Sequence, residues 1–414
     1  MKKNGFAYKK NNVFTVLLQV LIFAVTFLVW LVLLLYIFCG MASSDKRPYV
    51  QNTFVTTLLE TGELKFVARL HLSDEEITKI VNANSMEKMD TEINEDLIQI
   101  NPVVITKEHI TEINEDGTVA GTGEDSAGSG SGNAGTSGNN TGTSGNTGTS
   151  DKNTGTSENP DTVIDPDGDG IDIYEVAGRT FYATMMVVYD PTRLSVSAKY
   201  PWGKTGDTLD KFVKNSGAVA GINGGLYAES GNTGGTPYGV VVSNGEILRN
   251  KPSEATGLVL IGLTKDGILR IEDLDGLTEA DVETLVSSKN IYNAVCFQEE
   301  ASDKNNHFVT LMVNGEKREM NGMGSGLNPR TAIGQRADGA LLLLVTDGRG
   351  ASGHLGASAS DLIEIMSEYG AINAANLDGG SSSCMYYNGE YLMNSVTFYY
   401  ANSSWNMPLA LVVK

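Results

Sequence analysis

Three segments of the chain end an apolar run with a polar side chain and glycines. They are Gly221–Gly225 (GINGG), Val345–Arg349 (VTDGR) and Ala371–Ser383 (AINAANLDGGSSS). A short apolar run bounded by glycines predicts a buried strand, and the C-terminal end of such a strand is a common position for a functional side chain in an α/β protein. The three ends therefore predict a site that contains Asn223, Asp347, Arg349 and Asp378.

A fourth segment, Gly322–Gly334 (GMGSGLNPRTAIG), is rich in glycine and contains Arg330. Its backbone N–H groups predict a nest for an anion, and an arginine contacts phosphate through two N–H donors. The segment lacks the Gly-Lys-Ser/Thr ending of a nucleotide-binding P-loop and does not open a helix, so no nucleotide site is predicted. A hairpin loop with a structural arginine is the alternative interpretation.

Two other residues near these segments have two interpretations each. Asp347 is either a carboxylate of the site or the ion-pair partner of Arg349 or Arg330. His354 lies in the glycine-rich stretch after Arg349, where it either touches a substrate or is an exposed loop residue.

The surrounding sequence predicts the elements that position these residues. The order helix, capping glycine and strand occurs twice. The helices cover residues 208–215 and 358–369, and the strands cover 218–222 and 371–377. If these two strands pair in one sheet, Asn223 and Asp378 face each other across one cleft.

Other patterns complete the predicted fold. Residues 340–346 are apolar without interruption, which predicts a central strand. Asn244-Gly245 predicts a hairpin turn. The predicted fold class is α/β with mixed α+β character: a central mixed β-sheet flanked by helices, preceded by a single transmembrane helix and a flexible linker.

Residues 13–39 are predicted to be the transmembrane helix, after a cytoplasmic tail over residues 1–12. The apolar run exceeds the roughly 20 residues that span a bilayer. Four lysines precede it and the first acidic residue is Asp45, so the positive-inside rule predicts a single-pass membrane protein whose remaining chain lies outside the cell. A cleaved signal peptide is the alternative, although its apolar region covers only about 7–15 residues.

The rest of the chain divides by composition into three parts. Residues 40–116 are acidic and mildly helical, which predicts a juxtamembrane stalk or a small helical module, in either case without chemistry. Residues 117–160 are rich in Gly, Ser, Thr and Asn, which predicts a disordered linker. Residues 161–414 contain nearly all of the strand patterning, which predicts the catalytic domain.

Charge and cysteine content restrict the partners. The formal net charge of −20 argues against nucleic acid, because phosphate backbones bind clustered Lys and Arg. Four histidines without paired spacing argue against a histidine zinc site. Cys296 and Cys384 either pair or are free buried thiols, and the second interpretation is favoured.

One acidic turn resembles a calcium-binding loop. Its aspartates alternate with small residues: Asp165, Asp167 and Asp169. A complete EF-hand is excluded because its twelfth position, which requires Glu, is Val176. A looser structural Ca²⁺ turn and a solvated acidic turn are the two remaining interpretations, and no other cofactor is predicted.

Taken in order, six motifs resemble the phosphodiester glycosidase family over about residues 175–414. The motifs are AGINGG, GTPYGVVVSNGE, NPRTAIG, VTDGR, GASASDL and NLDGGSSS. The resemblance implies cleavage of a sugar-1-phosphodiester at the anomeric carbon. Its bacterial members imply a carbohydrate-phosphate substrate, such as a cell-wall or exopolysaccharide polymer, as partner. Ser381 and Cys384 depart from the family pattern, which affects the rim of the site more than its centre.

The resemblance and the chemistry together predict the roles in the site. The predicted catalytic residues are Asp378, which acts at the anomeric carbon or on water, Asp347 as second carboxylate, and Arg330 at the departing phosphate. The predicted substrate-binding residues are Asn223, Gly224, Gly225, Asn328, Arg349, Gly379, Gly380, Ser381 and Ser382. A non-catalytic module that binds an anionic wall polymer, and a phosphodiesterase that cleaves the P–O bond, are the alternative functions.

Overall fold

The computed structural model of the protein describes residues 13–61, 64–100, 104–106, 162–164, 168–228, 232–396 and 403–414. The chain forms two units. One combines Met1–Ile100 with Asp172–Lys414, and the other is Asn101–Ile171. Within the second unit, two short strands pair in parallel, Val104–Thr106 with Thr162–Ile164.

Seven α-helices occur in the described part of the chain. They are α1 (Val13–Ala42), α2 (Pro48–Leu59), α3 (Lys65–Ala68), α4 (Asp74–Asn82), α5 (Leu209–Ser216), α6 (Glu279–Ser288) and α7 (Ala359–Glu368). Helix α1 is apolar on every side, and its span Thr15–Ala42, with a mean hydropathy of 3.0, is long enough to cross a bilayer. The predicted apolar N-terminal helix is therefore confirmed.

The strands are short and most are buried. In the first part of the chain they are β1 (Val104–Thr106), β2 (Thr162–Ile164), β3 (Ile171–Ala177), β4 (Tyr182–Val188), β5 (Leu194–Ala198), β6 (Ala220–Asn223), β7 (Tyr227–Ala228), β8 (Thr236–Pro237), β9 (Val240–Ser243), β10 (Glu246–Asn250), β11 (Leu258–Thr264) and β12 (Leu269–Asp273). The later strands are β13 (Ile291–Gln298), β14 (Glu300–Ala301), β15 (Asn306–His307), β16 (Thr310–Val313), β17 (Glu316–Lys317), β18 (Thr331–Arg336), β19 (Leu341–Thr346), β20 (Ala371–Asn376), β21 (Met385–Tyr387), β22 (Glu390–Met393) and β23 (Leu409–Val413).

Three larger sheets form the body of the first unit. A seven-stranded sheet has the order β17-β16-β20-β18-β19-β4-β3, and two five-stranded sheets have the orders β10-β9-β13-β11-β12 and β22-β21-β6-β23-β5. From β17 to β4, neighbouring strands of the seven-stranded sheet pair antiparallel. The predicted mixed α and β class is confirmed, with several sheets in place of the one central mixed sheet that was predicted.

Strand β19 has the central position that its apolar run predicts. All six of its residues are buried, and it pairs with β18 on one side and β4 on the other. Helix α7 packs against β20 of the same sheet. Because β18, β19 and β20 are adjacent, the residues at their ends are brought close together.

Local signals in the sequence determine where the helices begin and end. Ser358 caps α7, and Asp361 returns the bond to its backbone N–H, as the predicted capping box requires. Helix α5 ends at Gly217, whose φ of 67° lies in the left-handed region that glycine tolerates. The predicted Asn244-Gly245 turn is also present between β9 and β10.

The two strands of the predicted helix–strand repeat lie in different sheets. Strand β6 belongs to a five-stranded sheet and β20 to the seven-stranded sheet. Pairing of these strands in one sheet, the condition under which Asn223 was expected to face Asp378, is therefore not what brings the two residues together. An apolar run predicts burial, but it does not identify the strand that pairs with it.

Residues 48–100 are packed into the first unit. Helices α2 and α4 share a small apolar core that includes Val55, Leu59 and Ile77. The chain that follows α4 then bonds the domain through its backbone: the Glu87 N–H donates to the Glu319 carbonyl at 3.0 Å, and the Gln99 N–H to the Ala337 carbonyl at 2.7 Å. The described part of the region predicted as a juxtamembrane stalk or small helical module thus belongs to the same unit as residues 172–414.

Candidate active site

Asn223 connects the end of β6 to the end of β20. Its Nδ2 donates to the backbone carbonyl of Asp378 at 2.6 Å, and its Oδ1 accepts from the Thr331 hydroxyl at 2.7 Å and from the Cys384 N–H at 3.2 Å. The Asp378 N–H in turn donates to the Gly224 carbonyl at 3.4 Å. The buried Asn223 amide therefore fixes the backbone that carries the Asp378 carboxylate.

The glycines beside these strand ends permit close approach of backbones. A Cβ atom on Gly225 would lie 2.3 Å from the Cys296 carbonyl oxygen, and one on Gly379 would lie 2.9 Å from the Pro329 carbonyl oxygen. Gly380 has a φ of 62° and donates its N–H to Pro329 at 2.8 Å. These positions are accordingly restricted to glycine by packing.

Arg349 joins two of the predicted loops. Its Nε donates to Asn328 Oδ1 at 3.1 Å, and its Nη1 donates to the Ser381 hydroxyl at 2.9 Å. A Cβ atom on Gly380 would lie 2.6 Å from its Nη2. The half-buried guanidinium therefore lies along the turn that follows Asp378.

The three serines after Gly380 have different surroundings. Ser381 is half-buried and accepts from Arg349. Ser382 is buried and bonds the Tyr227 hydroxyl at 3.0 Å, and Ser383 is buried with its hydroxyl oxygen 3.2 Å from that of Thr331. Only Ser381 of the three is placed at the arginine.

Arg330 is buried and has a carboxylate partner, Glu60, at the end of helix α2. Its Nη2 bonds Glu60 and also donates to the Gly326 carbonyl at 2.7 Å, while its Nε donates to the Ala357 carbonyl at 3.1 Å. The guanidinium also lies over the Phe308 ring, 4.8 Å from its centroid. All of these contacts hold the Arg330 guanidinium in place within the protein.

One backbone N–H of the glycine-rich segment, that of Gly326, bonds an anion, and that anion is the Glu60 carboxylate. It accepts from the Gly326 N–H at 2.8 Å, from Asn328 Nδ2 at 3.0 Å and from Asn306 Nδ2 at 3.4 Å, in addition to Arg330. The side chains of Glu60 and Arg330 are only 2% and 6% exposed. These donors thus offset the free-energy cost of burying the Glu60 carboxylate.

A histidine, His307, lies near this ion pair. Burial is the main cause that lowers the pKa of His307 to about 4, and the charges of Lys65 and Arg330 lower it further. Its ring is 5.6 Å from the Phe297 ring, measured between centroids. His307 is therefore neutral at physiological pH.

Asp347 bonds a histidine and a backbone N–H. Its Oδ1 accepts from the Tyr182 N–H at 2.7 Å, and its Oδ2 lies 2.6 Å from His354 Nδ1. The backbone N–H of Asp347 also donates to the Tyr182 carbonyl at 2.8 Å. Both carboxylate oxygens thus have partners other than Arg349 and Arg330.

The cysteines supply no nucleophile here. Cys296 and Cys384 are free and buried, as predicted. Burial raises the pKa of the Cys296 thiol to about 12 and also raises that of Cys384. Both thiols therefore remain protonated and unreactive at neutral pH.

Of the predicted calcium turn, Asp165 and Asp167 lie outside the described residues. Asp169 is described, and its Oδ1 accepts the Ile171 N–H at 2.8 Å. Across the described ranges no group of three His, Cys, Asp or Glu side chains is arranged to hold a metal ion. The calcium turn remains a prediction.

A family model described as phosphodiester glycosidase matches residues 216–414. The predicted resemblance to this family is confirmed. The match contains every predicted site residue except those of the calcium turn.

Individual relatives are distant. The SPbeta prophage-derived uncharacterized protein YomE of Bacillus subtilis (strain 168) is 28% identical over 193 residues, which are 45% of this chain and 27% of that protein. The chain therefore spans about a quarter of the length of this relative.

Solved structures to which the chain is similar include the zebrafish N-acetylglucosamine-1-phosphodiester alpha-N-acetylglucosaminidase catalytic domain, auto-inhibited by its pro-peptide. It is 20% identical with a TM-score of 0.44, and the alignment covers 59% of this chain and 81% of that one. A hypothetical protein from Synechocystis is 16% identical with a TM-score of 0.38, covering 61% and 63% of the two chains.

Four of the predicted segments thus meet, through the bonds of Asn223 to Asp378 and of Arg349 to Asn328 and Ser381. Glu60, which the sequence did not indicate, lies outside the matched range, in a helical segment with no sequence signal for an ion pair. The sequence presents His354 only as a single loop histidine, because it does not show that Asp347 is within bonding distance. The placement of His354 between two glycines of a positive-φ loop was the available signal.

Proposed function

We propose that the protein is a hydrolase that cleaves the glycosidic bond of sugar-1-phosphodiesters. The observation that carries the proposal is the position of Arg349 along the turn after Asp378. A half-buried guanidinium and a half-buried carboxylate residue are held there by Asn328, Ser381 and Asn223. The family match over residues 216–414 supports the same reaction class.

The chemistry of this substrate suits a cation more than a strong general acid. A phosphate monoester departs as a stable anion, so the main requirement is to neutralise the charge that develops on it. Arg349 presents a guanidinium, whose planar donors match phosphate oxygens. Asp378 then acts at the anomeric carbon or on the attacking water, as one carboxylate of a glycosidase does.

Arg330 is the second candidate for the phosphate. Its guanidinium already neutralises Glu60, so contact with a substrate phosphate requires the Glu60 carboxylate to leave a nest with several donors. This arrangement supports Arg349 as the phosphate contact and a structural role for Arg330.

We also propose where the reaction takes place. Helix α1 would act as a single-pass anchor with its lysine-rich N-terminus in the cytoplasm, which leaves the catalytic residues outside the cell. The substrate would then be a glycopolymer of the cell wall or an exopolysaccharide. Protease digestion of intact cells tests the orientation: cleavage of the region after α1 without lysis supports it, and complete protection contradicts it.

The direct test of the chemistry replaces Asp378 with Asn in the full-length protein. A panel of α-linked sugar-1-(methyl phosphate) diesters, with glucose, N-acetylglucosamine and galactose, is incubated in detergent and free sugar is measured. We expect a loss of at least about 100-fold in the variant. Asp266→Asn, an exposed aspartate in the turn between β11 and β12, is the matched control.

Three outcomes separate the alternatives. Full activity of Asp378→Asn contradicts the proposed role of the carboxylate. Oxygen from labelled water that enters phosphate rather than sugar indicates a P–O-cleaving phosphodiesterase. Retention of the diester without release of sugar by the wild type indicates a binding module.

A further inference from the structure

The loop after β19 holds a histidine–carboxylate pair that the function proposed above does not yet use. His354 Nδ1 lies 2.6 Å from Asp347 Oδ2. An ionised carboxylate only accepts hydrogen bonds, so Nδ1 carries a proton and donates it to Asp347. Nε2 is then the ring nitrogen with a free lone pair whenever the imidazole is neutral.

The pair joins a buried carboxylate to an imidazole ring that solvent can reach. The Asp347 side chain is 10% exposed, whereas that of His354 is 31% exposed. No residue in the described part of the chain forms a hydrogen bond with His354 Nε2. A buried carboxylate that orients a half-exposed imidazole is the arrangement of a general base.

The loop itself is held in place by its backbone. The Gly350 N–H donates to the His354 carbonyl at 2.7 Å, and the Leu355 N–H donates to the Thr180 carbonyl at 2.9 Å. Arg349 has a φ of 52°, which turns the chain back so that the loop closes. His354 is therefore positioned by the same short loop that places Arg349 against Ser381.

We propose that His354 is a catalytic residue that accepts a proton from the attacking water, and that Asp347 is its positioning residue. The inference rests on the proposed glycosidase function. As a water O–H bond breaks, its proton moves to His354 Nε2 and the oxygen forms a bond to the anomeric carbon. The bond from that carbon to the phosphate oxygen breaks, and its electron pair leaves with the phosphate monoester.

The charged groups around the pair define its pH behaviour. Asp347 contacts the ring, Arg349 lies on the same loop, and Glu175 on β3 lies near the hydroxyl of Tyr182. Nε2 must be unprotonated to accept a proton. The acid side of the pH profile is therefore the part that tests the proposal.

The test uses the full-length protein in detergent with the diester panel, and it compares kcat/KM from pH 5 to 9. His354→Gln should lose about 10²–10⁴-fold in kcat/KM, together with the rise in activity on the acid side. Asp347→Asn should lower kcat/KM and change the acid side of the profile, because the ring loses the carboxylate that orients it. His71→Gln, which is remote in sequence and near α1, serves as control and should change neither.

A second readout does not depend on turnover. Diethyl pyrocarbonate modifies accessible histidines, and peptide mass spectrometry measures the rate at His354 with and without α-glucose 1-phosphate. We expect the ligand to slow modification of His354 at least several-fold and to leave His71 unchanged.

Each result supports or overturns the inference. An unchanged pH profile in His354→Gln overturns it, and so does a modification rate at His354 that the sugar phosphate does not alter. If the wild type releases no sugar from any diester, the proposed function fails, and the protection of His354 alone decides whether this residue lies in a ligand site.

Discussion

Two clusters in the molecule use the same three kinds of side chain under opposite conditions. The buried cluster consists of Glu60, His307 and Arg330, and the open cluster of Asp347, Arg349 and His354. In the first, the carboxylate and the guanidinium are 2% and 6% exposed. In the second, the imidazole is 31% exposed.

The difference shows how burial affects what the charge of an arginine does in the protein. Arg330 is neutralised by Glu60 and surrounded by backbone carbonyls, so its charge is already used by the protein. Arg349 is half-buried, and it donates to an amide oxygen and to a hydroxyl beside the turn that follows Asp378. A half-buried cation is better placed to meet an anion from solution than a cation that is fully buried.

The largest expected effect tests the buried cluster. Arg330→Ala leaves the Glu60 carboxylate buried without its cation, so the free energy of unfolding should fall by about 3–5 kcal/mol. Urea unfolding of the full-length protein in detergent measures it. Lys251→Ala removes an exposed ion pair with Glu279 and should cost at most about 1 kcal/mol. Equal losses in the two variants would contradict the contrast.

The next effect tests the open cluster. Arg349→Ala should lower kcat/KM for the diesters by about 10²–10³-fold, since one charged donor at the departing phosphate is removed. Arg336→Ala, at the opposite end of β18 from Arg330, is the control and should retain activity. If Arg330→Ala lost activity without loss of stability while Arg349→Ala kept its activity, the two arginines would have to exchange roles.

The buried histidine predicts a dependence of stability on pH. In the folded protein the pKa of His307 is lowered from 6.5 to about 4, so the unfolded chain binds the proton first as the pH falls. Stability is retained above pH 6.5 and lost between about pH 6.5 and 4, by about 3 kcal/mol at most.

His307→Phe keeps a ring beside Phe297 and should remove this part of the acid-induced loss. Thermal unfolding at pH 7.5 and pH 4.5 measures it. An equal decrease in Tm in the wild type and in the variant would show that other groups are responsible.

The smallest effect concerns the contact between Ser381 and Arg349. Ser381→Ala removes one hydrogen bond to the guanidinium, which is worth about 1 kcal/mol, or about five-fold in kcat/KM. Ser382→Ala, whose hydroxyl bonds Tyr227 instead, should lower stability more than activity. The reverse pattern would place the substrate on the Ser382 side of the turn.

Local sequence predicted much of the fold. The capping box at Ser358, the Asn244-Gly245 turn and the central position of β19 all depend on residues close together in the chain. The strand ends were likewise identified, because apolar runs followed by glycines are local patterns.

What the sequence did not predict depends on distant contacts. Glu60 and Arg330 are separated by 270 positions, and no local rule pairs them. The assignment of β6 and β20 to different sheets follows from three-dimensional packing. The bond between His354 and Asp347 requires the positive φ angles of Arg349 and Ser352, which non-glycine residues seldom adopt.

The Asn223 amide has a mechanical consequence for the whole unit. Asn223 is the last residue of β6, which belongs to one sheet. Its two partners lie in another sheet, where Thr331 begins β18 and Asp378 follows β20. A slip of one sheet along the other by a single residue, about 3.3 Å, would break these bonds together. Sliding of one sheet along the other would therefore also move the backbone that carries the Asp378 carboxylate, so the two motions are coupled.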